Sequence, residues 1–146
     1  MVTIKKITDI HSHEANQLFK IRTKVFVEEQ NVDHRLEYDR HEKESNHYLA
    51  YFDSYPCGAA RWRVTENGIK LERFAVLGAY RSKGIGLALL NEILSEVIPA
   101  NQRIYLHSQI TSAGFYLKNG FVEEGEHFWE ANIEHVLMVY QPQAAV

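Results

Sequence analysis

The chain has 146 residues, a net charge of −3 and basic residues that are scattered rather than blocked. Such a length suits one domain around one core, and such a charge balance argues against a nucleic-acid partner. No apolar run approaches the roughly 20 residues that cross a bilayer, and the lone Cys57 excludes an internal disulfide framework or a cysteine zinc site.

Residues 2–8 alternate as a strand and lack the apolar core of a signal peptide, so a cytoplasmic protein without a membrane partner is expected. Over 14–27, Ala15, Leu18, Phe19, Ile21, Val25 and Phe26 fall mostly at helical spacing. Residues 31–46 are strongly charged and aperiodic, which predicts a surface loop. A strand follows over 47–52. The turn Tyr55-Pro56-Cys57-Gly58 gives Cys57 the setting of a small buried residue rather than a nucleophile. Strands over 58–64 and 69–77 flank Asn67-Gly68, a strong hairpin signal.

After a connection over 78–83, a helix is predicted over 84–98, with Leu87, Leu90, Ile93, Leu94 and Val97 as its apolar stripe and Pro99 as its stop. A short strand over 103–107 precedes a short helix over 112–118, which Asn119-Gly120 ends. Phe121-Val122, Phe128-Trp129 and 135–140 supply the last strands. The order β-α-β-β-β-α-β-α-β-β, without repeat or linker, predicts a single α/β domain over 1–146.

Arg81-Ser82-Lys83-Gly84-Ile85-Gly86 lies between a strand and a helix. A helix start carries backbone N–H groups without intrahelical partners and a partial positive charge, and glycines let an anion approach them. Arg81 and Lys83 add cations, so the segment reads as a diphosphate site. It is neither a Walker A loop nor a dinucleotide fingerprint.

Leu71-Glu72-Arg73-Phe74-Ala75-Val76, followed by Arg81-x-x-Gly84-x-Gly86, resembles motif A of the GNAT acyl-CoA N-acyltransferases, whose Gln/Arg-x-x-Gly-x-Gly/Ala pattern it matches at every fixed position. The segment from Ala113 through Tyr116 to Gly120-Phe121 resembles the family's second signature. Arg22-Thr23-Lys24-Val25-Phe26-Val27-Glu28-Glu29-Gln30, together with 130–138, resembles the ElaA-like branch.

The resemblance implies a GNAT-like domain: a mixed, mostly antiparallel sheet with helices on both faces. It implies acetyl-CoA as co-substrate, no metal, and transfer to a primary amine of a small molecule or peptide; a homodimer stays open. Phe74, Ala75 and Val76 would pair with the pantetheine arm, and Lys83 to Gly86 would hold the pyrophosphate. Gln109 stands near the position where many relatives carry an asparagine that contacts the cofactor chain. Tyr116 matches the tyrosine that faces the departing thiolate as a general acid.

Glu72 is the first candidate for the group that accepts the amine proton. The two-residue period of a strand places 70, 72 and 74 on one face, and Glu28, Glu29, His107 and His135 are further candidates. Burial would raise the pKa of Glu72 and a neighbouring arginine (Arg61, Arg63 or Arg73) would lower it. The spacings of His34, His41 and His47 match no short zinc pattern. A non-catalytic acyl-CoA sensor on the same fold is the alternative from another class. The acids Glu28-Glu29 and those over 37–44 hint at a cationic acceptor.

Overall fold

The computed structural model describes residues 1–142. In chain order the elements are β1 (Val2–Ile7), α1 (His13–Arg22), a π-helical stretch (Thr23–Glu29), α2 (His34–Glu37), β2 (Asn46–Phe52), β3 (Tyr55–Thr65), β4 (Gly68–Val76), α3 (Ile85–Val97), β5 (Ile104–Gln109), α4 (Ala113–Leu117), β6 (Phe121–Glu130) and β7 (Ile133–Tyr140). The seven strands form one sheet in the order β1-β2-β3-β4-β5-β7-β6. All neighbouring pairs are antiparallel except β4 and β5. That parallel pair needs a long crossover, and α3 supplies it.

Strand alternation sorts apolar residues onto two faces. On one, Tyr48, Ala50, Leu71 and Leu106 pack with Leu89, Leu90 and Ile93 of α3 and Tyr116 of α4. On the other, Leu49, Ala59 and Ala75 pack with Ala15, Leu18 and Ile21 of α1. Helices therefore cover both faces of a mixed sheet. Ser12 caps α1 by accepting from the Ala15 N–H at 3.1 Å. At Gly58 a Cβ would meet Ile85 Cγ2 at 2.8 Å, so glycine lets β3 approach α3 closely. Cys57 is fully buried and its thiol donates to the Ala50 carbonyl oxygen. Burial pushes that thiol's pKa up, as for a core residue.

The structure departs from the sequence reading in three places. The first helix continues as a π-helix, with the Gln30 N–H donating to the Val25 oxygen at 3.2 Å. Residues 31–46 are more than a solvated loop. They contain α2, and they turn Glu37, Asp39 and Glu42 onto arginines of α1 and β3. Arg22 and Arg61 are fully buried and Glu37 is 2% exposed. These acids look solvated in the sequence because their partners lie far away along the chain. The segment gives no residue to either apolar cluster. Finally, β6 runs unbroken through Glu123–His127, absorbing a register shift between Glu124 and Phe128.

Candidate active site

β4 and β5 pair only over Ile69–Leu71 and Ile104–Leu106. Both strands continue, to Val76 and to Gln109, but with no ladder between them. Beyond Leu71, the β4 edge that faces β5 has no strand partner among the described residues. A bulge lies at the same place. The pairs Ala59–Ala75 and Arg61–Glu72 leave Arg73 and Phe74 opposite Ala60, and Arg73 has φ 58°. An extra residue of this kind shifts the alternation of side chains by one. Lys70 and Glu72 lie on the α1 side, whereas Phe74 packs with the α3 cluster, edge-on to Tyr116 at 6.1 Å. The expected common face of 70, 72 and 74 is corrected accordingly.

A cleft of about 800 Å³ opens at this gap and is lined from both sides of the sheet. Leu71, Phe74, Leu106 and Tyr116 reach it from the α3 and α4 side. Arg63, Lys70, Glu72, His107 and Glu130 reach it from the other. Gln109 donates from Nε2 to Gln30 Oε1 at 2.8 Å, linking β5 to the end of the π-helix where both line the cleft.

Glu72 is nearly buried and accepts from three cations. Arg61 Nε donates at 2.8 Å and Arg63 Nε at 3.1 Å, and Lys70 Nζ stands 3.1 Å from Oε1. Burial alone would raise its pKa, but the charge of Arg61, the hydrogen bond from Arg63 and the charge of Lys70 outweigh it and hold the carboxyl at about 2. A proton acceptor needs the opposite environment. The expected role of Glu72 as base therefore lacks its physical support, and its geometry is that of a counter-ion. Arg73 turns instead to α2, donating to the Leu36 oxygen at 3.1 Å and to Asp39 Oδ2 at 3.2 Å.

Tyr116 is buried on α4, edge-on to Phe74, Phe115 and Phe121. Tyr116 is among the residues lining the cleft, and its hydroxyl has no hydrogen-bond partner among the described residues. Burial pushes its pKa up, so it remains an O–H donor at any working pH.

Of the further base candidates, Glu29 pairs with Arg81 at 2.8 Å, and Glu28 lies on a separate hollow beside α1. His107 and His135 line the cleft. His107 Nδ1 stands 3.0 Å from Glu130 Oε1. Burial tends to raise the pKa of Glu130, but the hydrogen bond and charge of His107 prevail and lower it, so the carboxylate accepts and Nδ1 donates. With Nδ1 so engaged, Nε2 is the ring nitrogen without a hydrogen-bond partner among the described residues. His135 donates from Nδ1 to the Ile133 oxygen at 2.7 Å. His34 packs on Tyr38, His41 bonds Glu44 and His47 bonds the Glu42 oxygen, so these three do not converge.

The loop before α3 behaves differently from the cleft, which none of residues 81–86 lines. Gly84 caps α3 with φ 78°, and a Cβ there would touch nothing within 4 Å. Backbone conformation, not crowding, thus demands glycine. Ser82 also has positive φ, at 64°. The first helical bond runs from the Ala88 N–H to the Gly84 oxygen at 3.0 Å. Among the described residues, the N–H groups of Ile85, Gly86 and Leu87 have no acceptor. Arg81 ties the loop down, donating to the Val76 oxygen at 3.0 Å and to Glu29. Lys83 Nζ sits 5.3 Å from the Phe52 ring centre. Gly86 faces Phe115 of α4. Free N–H groups at the start of α3 and an unpaired strand edge leading from them suit a long ligand with an anionic head and an amide-bearing arm.

Sequence reasoning names Arg63 only as a neighbour of Glu72 and Lys70 only by its face, and it misses their place in the cleft, Glu130 and the bulge at Arg73. Arg63 and Lys70 were recoverable, since counting back from the Asn67-Gly68 turn sets them opposite each other on the face of Glu72. No residue-type cue marks an arginine that adopts a left-handed backbone.

Residues 8–142 match the family model described as an acetyltransferase (GNAT) domain. The chain is 38% identical over 144 residues to the uncharacterized protein YyaT of Bacillus subtilis, with 94% of each chain covered. Among solved structures it resembles Escherichia coli ElaA with TM-score 0.84 at 21% identity, covering 97% of this chain and 100% of that one. It also resembles a Bacillus subtilis acetyltransferase in complex with CoA, with TM-score 0.69 at 14% identity and coverage of 97% and 99%.

Proposed function

Because the chain belongs to the GNAT acetyltransferase family and is an acyltransferase, we propose that it moves the acetyl group of acetyl-CoA onto a primary amine of a small molecule or peptide by direct attack. The observation that carries this reading is the gap between β4 and β5. It joins the side of the sheet bearing the open start of α3 and Tyr116 to the polar cleft bearing Lys70 and His107. Two reactants approaching from opposite faces meet there, and holding them in register supplies most of the rate gain.

In this reading the N–H groups of Ile85, Gly86 and Leu87 hold the pyrophosphate, with Arg81 fixing Ser82, Lys83 and Gly84 around it. The unpaired edge over Phe74, Ala75 and Val76 bonds the amides of the pantetheine arm, and Gln109 stands where β5 turns away from it. In the net reaction an ammonium ion and the thioester give an amide, the free thiol and one proton. His107, oriented by Glu130, accepts the amine proton. Tyr116 gives its O–H to the departing sulfur. Its raised pKa makes full transfer uphill, so its contribution is a hydrogen bond that strengthens as charge develops there. Glu72 keeps Arg61, Arg63 and Lys70 in place.

The test is acetyl-CoA binding by thermal shift together with thiol release across a panel of amino acids, polyamines, aminoglycosides and peptides. A ligand selective for the folded state raises the melting temperature, and at least one amine should release CoA. A shift without release from any amine would select the non-catalytic acyl-CoA sensor instead.

A further inference from the structure

Arg63 and Lys70 are direct cross-strand partners of β3 and β4. Like charges in that position are destabilising. Both side chains are largely withdrawn from water, at 16% and 17% exposure, and both line the cleft. Glu72 is the acid between them, and Arg61 already takes part of its capacity. Arg63 commits Nε and Nη2 to Glu72, and Lys70 makes one ionic contact. A guanidinium has five N–H donors and an ammonium three, so each cation keeps unused donors on the cleft.

Three of the acids that hint at a cationic acceptor are engaged with arginines instead. Glu37, Asp39 and Glu42 face Arg22, Arg61 and Arg73. With Glu37, Asp39 and Glu42 turned to those arginines and Glu130 bonded to His107, the crowded pair Arg63 and Lys70 shares Glu72 and keeps donors for a further negative charge.

We infer that the amine acceptor also carries an oxyanion, a carboxylate as in an amino acid, which docks on Arg63 and Lys70 while its amine lies toward His107. This rests on the acetyl-transfer reading and goes beyond it by naming the acceptor class. The anion takes no part in the bond changes. It fixes the acceptor's orientation and relieves the repulsion between the two cations, which charge-assisted hydrogen bonds do well.

The experiment compares matched acceptors: the common amino acids, their carboxamides and their aminophosphonate analogues, assayed for thiol release from acetyl-CoA. The acids should exceed their carboxamides in kcat/KM by at least about tenfold, the effect of one well-placed ion contact. Phosphonates exceeding carboxylates would reassign the oxyanion without removing the docking site. Arg63→Gln and Lys70→Gln should each narrow the acid-to-amide ratio, chiefly through KM. Both variants relieve like-charge crowding, and their melting temperatures check that they fold. Equal rates for acids and amides, or a ratio untouched by both variants, overturns the inference.

A second measurement does not depend on turnover. With CoA present, calorimetry on the wild-type protein compares N-acetyl amino acids with N-acetyl amino acid amides. Tighter binding of the acids, lost in Arg63→Gln, sustains the docking site even if no amine is acetylated, in which case only the acetyl-transfer reading falls. Binding without preference, or by no member of the set, overturns the inference on its own.

Discussion

Replacing Glu72 by Gln keeps the shape of the side chain and removes the charge that Arg61, Arg63 and Lys70 share. The pKa of the carboxyl falls from 4.5 to about 2 in the folded protein. At about 1.4 kcal/mol per pH unit this difference corresponds to about 3 kcal/mol of stability near neutrality. That agrees with the roughly 3–5 kcal/mol lost when one partner of a buried pair is removed. For a domain of this size, Glu72→Gln should lower Tm by roughly 6–12 °C at pH 7. The sign of the pH dependence follows from a depressed folded-state pKa. The contribution is fully present above about pH 4.5 and disappears as pH falls toward 2. Thermal and urea unfolding of both proteins across pH 2.5–7 should therefore show two curves that converge on acidification. A loss below about 2 °C at pH 7, or a gap that persists at low pH, would refute the counter-ion role. The same variant separates the two readings of Glu72 in catalysis. A proton acceptor of pKa near 2 leaves no acid limb in an accessible pH–rate profile, whereas a displaced Arg63 and Lys70 raise KM for the acceptor.

Gly86→Glu sets a bulky anion beside Phe115 and the open N–H groups of α3. It should abolish the thermal shift caused by acetyl-CoA, and a folded variant that binds CoA normally would move the diphosphate site elsewhere. Tyr116→Phe keeps the aromatic packing and removes the hydroxyl. Turnover should fall by about 10²–10³-fold, the loss of one hydrogen-bond donor to developing charge, with CoA affinity nearly intact, and unchanged turnover where chemistry limits the rate would make Tyr116 a packing residue. His107→Gln should lower kcat by about 10²-fold or more, an outcome that unchanged turnover where chemistry limits the rate would contradict.

The strand and helix order and the glycine turn into α3 follow from local cues: an alternating strand, an Asn-Gly turn, a strand-to-helix glycine pair and a proline stop. What could not be read depends on residues distant in sequence. Glu72 looks like a strand carboxylate of undecided role because its environment is set by Arg61 and Arg63 across the hairpin, and by Lys70 two residues away. Glu37, Asp39 and Glu42 look solvated because Arg22 and Arg61 reach them from other elements. The bulge at Arg73 defeats the period-two reading of β4, since a left-handed arginine carries no signature. His107 gains its meaning only when β6 brings Glu130 beside it.

The segment over 31–45 is held by ion pairs to Arg22, Arg61 and Arg73 and adds nothing to either apolar cluster. Its main apolar contact with the rest of the chain is Tyr38 on Phe19, at 5.6 Å between ring centres, so its opening free energy is set largely by charge. Amide hydrogen exchange should resolve it as a separate unit, opening below the global unfolding free energy. Asp39 and Glu42 are held below their ordinary pKa values, against burial, chiefly by hydrogen bonds and charges from Arg61 and Arg22. Their contribution therefore persists through mild acid and is lost only as pH falls below the ordinary carboxylate range.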